Sequence, residues 1–251
     1  MELQSMDILG VKVHRVSLEE TLAAIGGFIE ERSSHLVVTL GTEMVMAAQK
    51  NKEFLEVLNA AHLVCADAVG IIWASKRMEK PLSEKVAGIE ILDRLAALSY
   101  EKGWRLFFLG AAEGTAEAAV EELRKKYPEM PVAGIHHGFF KDDGPVIRLI
   151  KEAKPDILFI ALGSPRQELW FWRHREELGV PVGIGVGGSF DVLSGKISRS
   201  PRWMISLGLE WLYRLYKEPW RWKRMTVLPV FALKILFCSK APGDENVKGF
   251  S

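Results

Sequence analysis

The chain has 251 residues, of which 48% are hydrophobic and 26% are charged, and its formal net charge at neutral pH is +1. A chain of this length and composition buries a core of ordinary size, which excludes a disordered or low-complexity protein. It indicates one large domain, or one domain with an appendage.

Residues 1–195 alternate short β-rich runs with helical segments. This alternation predicts an α/β fold in which helices cover a largely parallel sheet. Two helices have recognisable ends: Ser17 and Glu20 form the pattern of a capping box, and a helix that follows Gly114 ends before Pro128. The predicted strands are residues 8–13, 35–40, 62–66, 104–110, 132–136, 156–162 and 182–187.

Residues 196–251 show no further strand pattern and are predicted to form a helical appendage. The longest apolar run, residues 225–238, is interrupted by a proline and a lysine and is shorter than the ~20 residues that a membrane-spanning helix needs. It predicts a segment that lies on a membrane surface without crossing it. The appendage is predicted to have two or three helices, broken at Pro201, Pro219 and Pro229.

Within the appendage, residues 210–225 (EWLYRLYKEPWRWKRM) contain five aromatic and five basic side chains. The wider segment 197–240 has nine basic and two acidic residues, a local charge of +7 against about −6 for the rest of the chain. This split predicts an anionic partner. A membrane interface suits Trp, Tyr and Arg, and a subunit interface suits them equally well. A single-stranded nucleic acid is less favoured, and an aromatic core, as expected for Trp73 and Trp104, is the fourth alternative.

The two cysteines and the N-terminus bear on the cellular compartment. Cys65 and Cys238 match no metal or disulfide spacing and lie in apolar sequence, so we expect core thiols in a reducing compartment. The first residues include an acidic side chain at position 2 and no uninterrupted apolar run, which is unlike a secretory signal. We therefore expect a cytoplasmic protein.

Asp67, in CADAVG, comes directly after a predicted buried strand. The carboxyl ends of parallel strands open on the edge of a sheet where ligands bind. A carboxylate there, beside apolar walls that raise its pKa, suits a general base. The alternative is an aspartate that caps the following helix through its side-chain oxygen.

Two glycine-containing segments also follow predicted strands. ALGSPRQE (residues 161–168) places a glycine and a proline before a helix, which is typical either of an anion or sugar-nucleotide site or of a plain strand-to-helix turn. GVGGSFDVLSGK (residues 185–196) lacks the spacing of a phosphate-binding loop. Binding of phosphate through backbone amides stays an alternative for this segment and for the turn after residue 110, although a glycine-rich turn alone is weak evidence. Neither this segment nor the turn after residue 110 has the dinucleotide fingerprint, which disfavours an NAD-linked oxidoreductase. We predict no cofactor, no metal site and no Ser-His-Asp or Cys-His catalytic set.

Taken together, EKVAGIEIL, ALGSPRQE, GVGGSFDVLSGK and LGLEWLYRLYKEPWRWKR resemble the WecG/TagA/CpsF family of glycosyltransferases, in an order and spacing that cover nearly the whole chain. The resemblance implies a Rossmann-like α/β body whose appendage completes the active site at the membrane. It also implies metal-independent, inverting transfer of a sugar from a UDP donor to an undecaprenyl-diphosphate-linked N-acetylglucosamine, on the cytoplasmic face of the cell membrane. In the best-known branch the sugar is N-acetylmannosamine, and the product is the linkage unit of wall teichoic acid.

The resemblance also assigns roles to individual residues. Asp67 matches the general base that deprotonates the acceptor 4-hydroxyl, and Thr39 matches a pocket residue near it. Gln167 matches a substrate-contacting glutamine, and Asp191 is a candidate for nucleotide contact. The basic residues that match those engaging the diphosphate are Arg214, Arg221 and Arg224.

Two positions depart from the family pattern. Gly41 replaces an asparagine expected near the donor sugar, and Lys85 replaces an arginine. Lysine keeps the charge for substrate binding but lacks the planar fork that grips a phosphate at two points. The alternatives are therefore the same acceptor with another UDP sugar, such as mannosaminuronic acid or glucose, or a non-catalytic binder of UDP-sugar and lipid diphosphate. With the resemblance, a membrane surface becomes the favoured partner, no nucleic acid is expected, and the apolar tail leads us to expect a homo-oligomer.

Overall fold

Six parallel strands form the central sheet of the protein. The structure is a computed structural model that describes residues 3–198, 200–201, 203–204, 209–217, 219 and 222–238, with the backbone only at 210, 214, 223 and 224. In chain order the strands are β1 (Ser5–Ile8), β2 (Val11–His14), β3 (His35–Leu40), β4 (Leu63–Ala66), β5 (Leu106–Gly110), β6 (Val132–His136), β7 (Ile157–Ala161) and β8 (Val182–Gly185). The order across the sheet is β4-β3-β8-β7-β5-β6, and β1 and β2 form a separate antiparallel pair. The predicted α/β class with a mostly parallel sheet is confirmed.

Helices cover both faces of the sheet. They are α1 (Leu18–Glu31), α2 (Thr42–Ala48), α3 (Lys52–Ala60), α4 (Val69–Arg77), α5 (Gly88–Lys102), α6 (Thr115–Lys126), α7 (Asp143–Ala153), α8 (Arg166–Leu178), α9 (Ser189–Leu193), α10 (Glu210–Lys217), α11 (Trp222–Met225) and α12 (Val227–Cys238). Side chains of α1, α5, α6 and α9 pack on one face, and those of α2, α3, α4, α7, α8 and α12 pack on the other. All six residues of β3, including the polar His35 and Thr39, are buried, as expected for a strand covered on both faces.

The first predicted strand, residues 8–13, is wrong, because the chain forms a hairpin there. Leu9 and Gly10 both have positive φ angles, 52° and 83°, and connect β1 to β2 in a two-residue turn. The Asp7 carboxylate accepts a hydrogen bond from the Gly10 N–H at 2.8 Å and stabilises that turn. A leucine with positive φ carries no sequence signal, so the turn was hidden inside an apolar run.

The described part of the appendage is helical, as predicted, but the predicted break at Pro229 is wrong. Helix α12 begins at Val227, so Pro229 lies in its first turn, where a backbone N–H would have no partner within the helix. Phe231 and Ile235 are buried in the same core as α2 and α4. The proposed boundary between residues 195 and 196 stays a prediction. Within the described residues, no helix is long and apolar enough to cross a membrane.

Of the four cysteine and tryptophan residues that were expected in the core, two are at least partly buried and two are exposed. Cys65 is buried, as expected, whereas Cys238 at the end of α12 is exposed. Trp104 is half-buried against the core, but Trp73 on α4 is among the exposed large hydrophobic side chains. Cys238 and Trp73 therefore lie on the surface, contrary to the prediction.

His14 joins the hairpin to the edge of the sheet. Its Nδ1 accepts a hydrogen bond from the Val64 N–H at 2.9 Å, so β2 is tied to β4. The residue is 7% exposed. Burial, together with the nearby charge of Lys12, lowers the pKa of His14 to about 4. The imidazole is therefore neutral in the folded protein at neutral pH.

We expect acidification to destabilise the fold through His14. The unfolded chain takes up a proton near pH 6.5 and the folded chain near pH 4, so the free energy of unfolding falls as the pH drops between these values. The loss reaches about 3 kcal/mol at pH 4. Urea unfolding of the wild type and of His14→Asn at several pH values checks this. Asparagine keeps an acceptor for Val64 but does not titrate, and an equal pH dependence in both proteins would contradict the assignment.

Candidate active site

Four neighbouring strands end at the same edge of the sheet and bring the candidate residues there. β4, β3, β8 and β7 are adjacent in that order. Thr39 lies near the end of β3, Asp67 directly follows β4, and Gln167 lies in the first turn of α8, after β7. The glycine-rich segment 185–188 begins at the end of β8. This is the edge at which ligands of open parallel sheets bind.

Asp67 and Thr39 approach the same residue, Gly88, at the start of α5. The Asp67 Oδ2 accepts a hydrogen bond from the Gly88 N–H at 3.4 Å. Thr39 is buried, and its hydroxyl donates to the Gly185 carbonyl at 2.8 Å. A Cβ atom on Gly88 would lie 3.2 Å from the Thr39 Oγ1. The base candidate and the pocket candidate therefore lie beside one another.

The surroundings of Asp67 bear on the two interpretations of this residue. Ala68 occupies the N-cap position of α4, so Asp67 lies one residue before it. Asp67 is half-buried, while Cys65, two residues earlier, is fully buried. Burial raises the pKa of the Cys65 thiol to about 12, and the charge of Asp67 acts in the same direction. The thiol therefore stays protonated and is a poor nucleophile.

Gln167 is buried, and hydrogen bonds fix both ends of its amide. Its Oε1 accepts from the Gly187 N–H at 3.2 Å, and its Nε2 donates to the Glu168 Oε1 at 2.7 Å. Burial raises the pKa of the Glu168 carboxyl above its ordinary value. In this structure Gln167 therefore holds the glycine-rich segment that follows β8.

Gly185 allows these side chains to meet. A Cβ atom there would lie 2.5 Å from the Gln167 Nε2 and 2.9 Å from the Glu168 Oε1, closer than nonbonded atoms come. The same residue accepts the Thr39 hydroxyl through its carbonyl. Three polar side chains thus converge on one stretch of bare backbone at the end of β8.

Lys85, Asp191 and Gly41 border this group. The residue after Lys85, Val86, donates its N–H to the Ala66 carbonyl at 2.8 Å, so Lys85 lies near the end of β4. Asp191 is in α9, which begins directly after the glycine-rich segment. Gly41 precedes α2, and a Cβ atom on it would meet no other atom within 4 Å. The position of the expected asparagine is therefore open space.

The three arginines assigned to the diphosphate are only partly covered by the structure. Arg221 lies outside the described residues. Arg214 and Arg224 belong to α10 and α11, and their side chains are outside the description. Their role stays a prediction. Among the residues that are described, no three His, Cys, Asp or Glu side chains are placed together to hold a metal ion.

Comparison with known proteins identifies the family. A sequence model of the glycosyl transferase WecG/TagA/CpsF family matches residues 6–244. The chain belongs to this family. It is a glycosyltransferase, and the site at the ends of β4, β3, β8 and β7 is its candidate active site.

Individual members of the WecG/TagA/CpsF family resemble the chain over most of its length. A Bacillus subtilis (strain 168) protein named N-acetylglucosaminyldiphosphoundecaprenol N-acetyl-beta-D-mannosaminyltransferase is 35% identical over 209 residues, which are 83% of this chain and 82% of that protein. A protein of the same name from Bacillus spizizenii is 32% identical over 88% of this chain and 86% of its own length. Another, from Staphylococcus aureus (strain MW2), is 34% identical over 92% of this chain and 91% of its own length.

Sequence reasoning missed Glu168 and gave Gly185 no role of its own. Acidic residues are common in the first turn of a helix, where the helix dipole favours them and they are usually exposed to solvent. No sequence pattern therefore indicated that Glu168 is buried. The available signal was a glycine in the predicted strand 182–187, since glycine in a strand often marks a close approach of side chains.

We expect Gly185→Ala to destabilise the protein by about 1–3 kcal/mol, because its methyl group forces Gln167 and Glu168 away from β8. Gly27→Ala is the matched control: a Cβ atom there meets nothing within 4 Å, and Gly27 lies inside helix α1. This control should be unchanged or more stable by about 0.5–1 kcal/mol. Urea unfolding measures both, and equal stability of the two variants would show that the contacts at Gly185 are not limiting.

Proposed function

We propose that the protein transfers N-acetylmannosamine from UDP-N-acetylmannosamine to N-acetylglucosaminyl-diphospho-undecaprenol, with inversion, to form a teichoic acid linkage unit. The acceptor and the sugar are those in the names of the three relatives. The observation that carries the proposal is the position of Asp67 after β4, where its carboxylate faces the start of α5 beside the buried Thr39. A half-buried carboxylate at the ligand edge of a parallel sheet suits a general base.

The proposed chemistry is a single displacement. The acceptor hydroxyl oxygen attacks the anomeric carbon of the donor sugar while Asp67 takes the hydroxyl proton. The bond from the anomeric carbon to the diphosphate oxygen breaks, and UDP leaves with the electron pair. The Val186 and Gly187 N–H groups already donate to Ile160 and Gln167. The Gly188 N–H, Lys85 and the appendage arginines therefore stabilise the charge that develops on the diphosphate.

The donor sugar is the least constrained part of the proposal. Gly41 leaves open space where the family resemblance expects an asparagine. A lysine at position 85 binds a phosphate as a point charge and selects its orientation less strictly than an arginine does. Another UDP sugar, such as mannosaminuronic acid or glucose, is therefore the second candidate donor.

The test of this function is release of UDP by the purified protein from a panel of UDP sugars, with and without a short-chain lipid-diphosphate N-acetylglucosamine. We expect release with UDP-N-acetylmannosamine that depends on the acceptor. Acceptor-dependent release with another donor would keep the mechanism and replace the sugar. UDP binding without any release would favour a non-catalytic binder and overturn the proposal.

Asp67→Asn is the variant that tests the base. Asparagine has nearly the same shape but cannot take the proton, so we expect the rate to fall about 10²–10⁴-fold. UDP binding, measured by calorimetry, should stay close to that of the wild type. Glu43→Gln is a control, since it changes one carboxylate in the first turn of neighbouring α2. A rate for Asp67→Asn close to that of the wild type would remove Asp67 as the base.

We further infer that α12 docks the enzyme on the cytoplasmic face of the membrane, where a lipid-linked acceptor lies. Phe231 and Ile235 face the body and are buried. Val230, Leu233 and Phe237, which share the opposite side of the helix, are exposed.

Helix α4, which contacts α12, adds exposed Val69 and Trp73. Exposed apolar side chains on two helices that pack together indicate a membrane or protein contact, and the surplus of basic residues in the appendage favours anionic lipid. In water the same surface favours the expected homo-oligomer.

Phe237→Asp should weaken binding to vesicles of phosphatidylcholine and phosphatidylglycerol about ten-fold or more, because it removes a large apolar side chain from the lipid contact and adds a negative charge. Phe139→Asp is the matched control: Phe237 and Phe139 are 73% and 78% exposed, and Phe139 follows β6 at the far edge of the sheet. Vesicle co-sedimentation measures both variants. Equal losses, or none for Phe237→Asp, would contradict docking through α12.

A further inference from the structure

Glu168 is a buried acidic residue next to the candidate active site for which the proposed mechanism has no role. It is the third residue of α8 and is 1% exposed. Within the described residues no cation pairs with it. Among the same residues, its Oε2 and the Oγ of nearby Ser164 are both buried without a hydrogen-bond partner, although the Ser164 hydroxyl is close enough to lower the pKa of the carboxyl against the larger effect of burial. A buried carboxylate without a counter-ion is so costly that the group takes up a proton instead. Burial raises the pKa of Glu168 in agreement with this argument.

A neutral carboxyl group at this position offers Gln167 a defined partner. A glutamine amide has a donor end and an acceptor end. When one neighbouring group is an acceptor and the other a donor, the amide forms both hydrogen bonds in only one of its two orientations. Here the donor end faces the Glu168 Oε1 at 2.7 Å, and the acceptor end faces the Gly187 N–H at 3.2 Å. If the amide turned by 180°, its NH₂ would face the Gly187 N–H, so two donors would meet, and the Glu168 Oε1 would lose the donor that it now accepts from.

We propose that Glu168 is a positioning residue for the transfer reaction: its carboxyl group fixes the orientation of the Gln167 amide, and the amide in turn holds Gly187 and the segment 185–188 in place. This inference rests on the proposed function, because the segment is where the diphosphate is expected. The side chains of Gln167 and Glu168 both pack against the Gly185 backbone, so a shift of the Glu168 carboxyl also moves the Gln167 amide. Gln167 then acts mainly by shaping the site and not by direct contact with the substrate.

The test compares two replacements of Glu168. Glu168→Gln keeps an oxygen that accepts from Gln167 and places an NH₂ where the neutral carboxyl has its O–H, so it should keep the wild-type rate. Glu168→Leu removes the acceptor and should lower kcat about 10–100-fold, since small misplacements in a site cost that much. It leaves the buried Gln167 donor unpaired, so the thermal midpoint should fall, but the protein should stay folded at the assay temperature. If Glu168→Leu does not fold, Glu168→Met, which is unbranched, replaces it.

A double-variant comparison separates positioning from a general structural role. If Glu168 acts through Gln167, Gln167→Leu combined with Glu168→Leu should be no slower than Gln167→Leu alone. A purely structural role would give losses that multiply. Losses that multiply, or a rate for Glu168→Gln as low as that for Glu168→Leu, would overturn the proposal.

Amide hydrogen exchange at Gly187, followed by nuclear magnetic resonance, tests the same contact without any turnover. We expect exchange at Gly187 to be roughly 5–30-fold faster in Glu168→Leu, because the acceptor of its N–H is no longer held, and unchanged in Glu168→Gln. Unaltered exchange in Glu168→Leu would overturn the positioning role. If the wild type transfers no sugar from any donor, the proposed function fails, and the exchange result still decides what Glu168 does.

Discussion

The close approach of polar side chains to the Gly185 backbone is the constraint on which the site depends. Three polar groups meet at Gly185, where β8 has no side chain. The Thr39 hydroxyl comes from β3, and the Gln167 amide and the Glu168 carboxyl come from α8. Glycine weakens a strand, and here that cost is offset by hydrogen bonds that link β3, α8 and the segment after β8. Each bond has a defined donor and acceptor. The bonds therefore fix the end of β3, the end of β8 and the start of α8, which follows β7, relative to one another.

The two carboxyl groups of the site differ in environment, and this difference separates the functions proposed for them. Asp67 lies half-buried at the edge of the sheet, within reach of a ligand, whereas Glu168 is enclosed by protein. An enclosed carboxyl group without a counter-ion stays protonated and serves as a fixed hydrogen-bond partner. A carboxylate at the edge can accept a proton from a bound hydroxyl group. The residue type alone does not distinguish these two roles.

Much of the fold was predictable because each buried strand leaves a run of apolar residues and each helix a capping or periodic pattern. The position of Asp67 at the ligand edge of the sheet was predictable for the same reason, since this residue directly follows β4. The hairpin at Leu9 and the burial of Glu168 were not predictable. The first depends on a positive φ at a leucine, and the second on which side of α8 faces the sheet. Both are set by tertiary contacts that local sequence patterns do not contain.

The position of α12 connects the lipid surface to the chemistry in the proposed reaction. The helix packs against α2 and α4, which begin directly after β3 and β4, the strands that carry Thr39 and lead to Asp67. One side of α12 is therefore part of the protein core, while the other exposes apolar side chains. An acceptor whose diphosphate is anchored in a membrane reaches only a short distance above the lipid surface. In the proposed reaction, Asp67 lies just before α4, which packs against α12, so the base is held at a fixed height above that surface. The core packing of Phe231 and Ile235 would then also set where the acceptor meets Asp67.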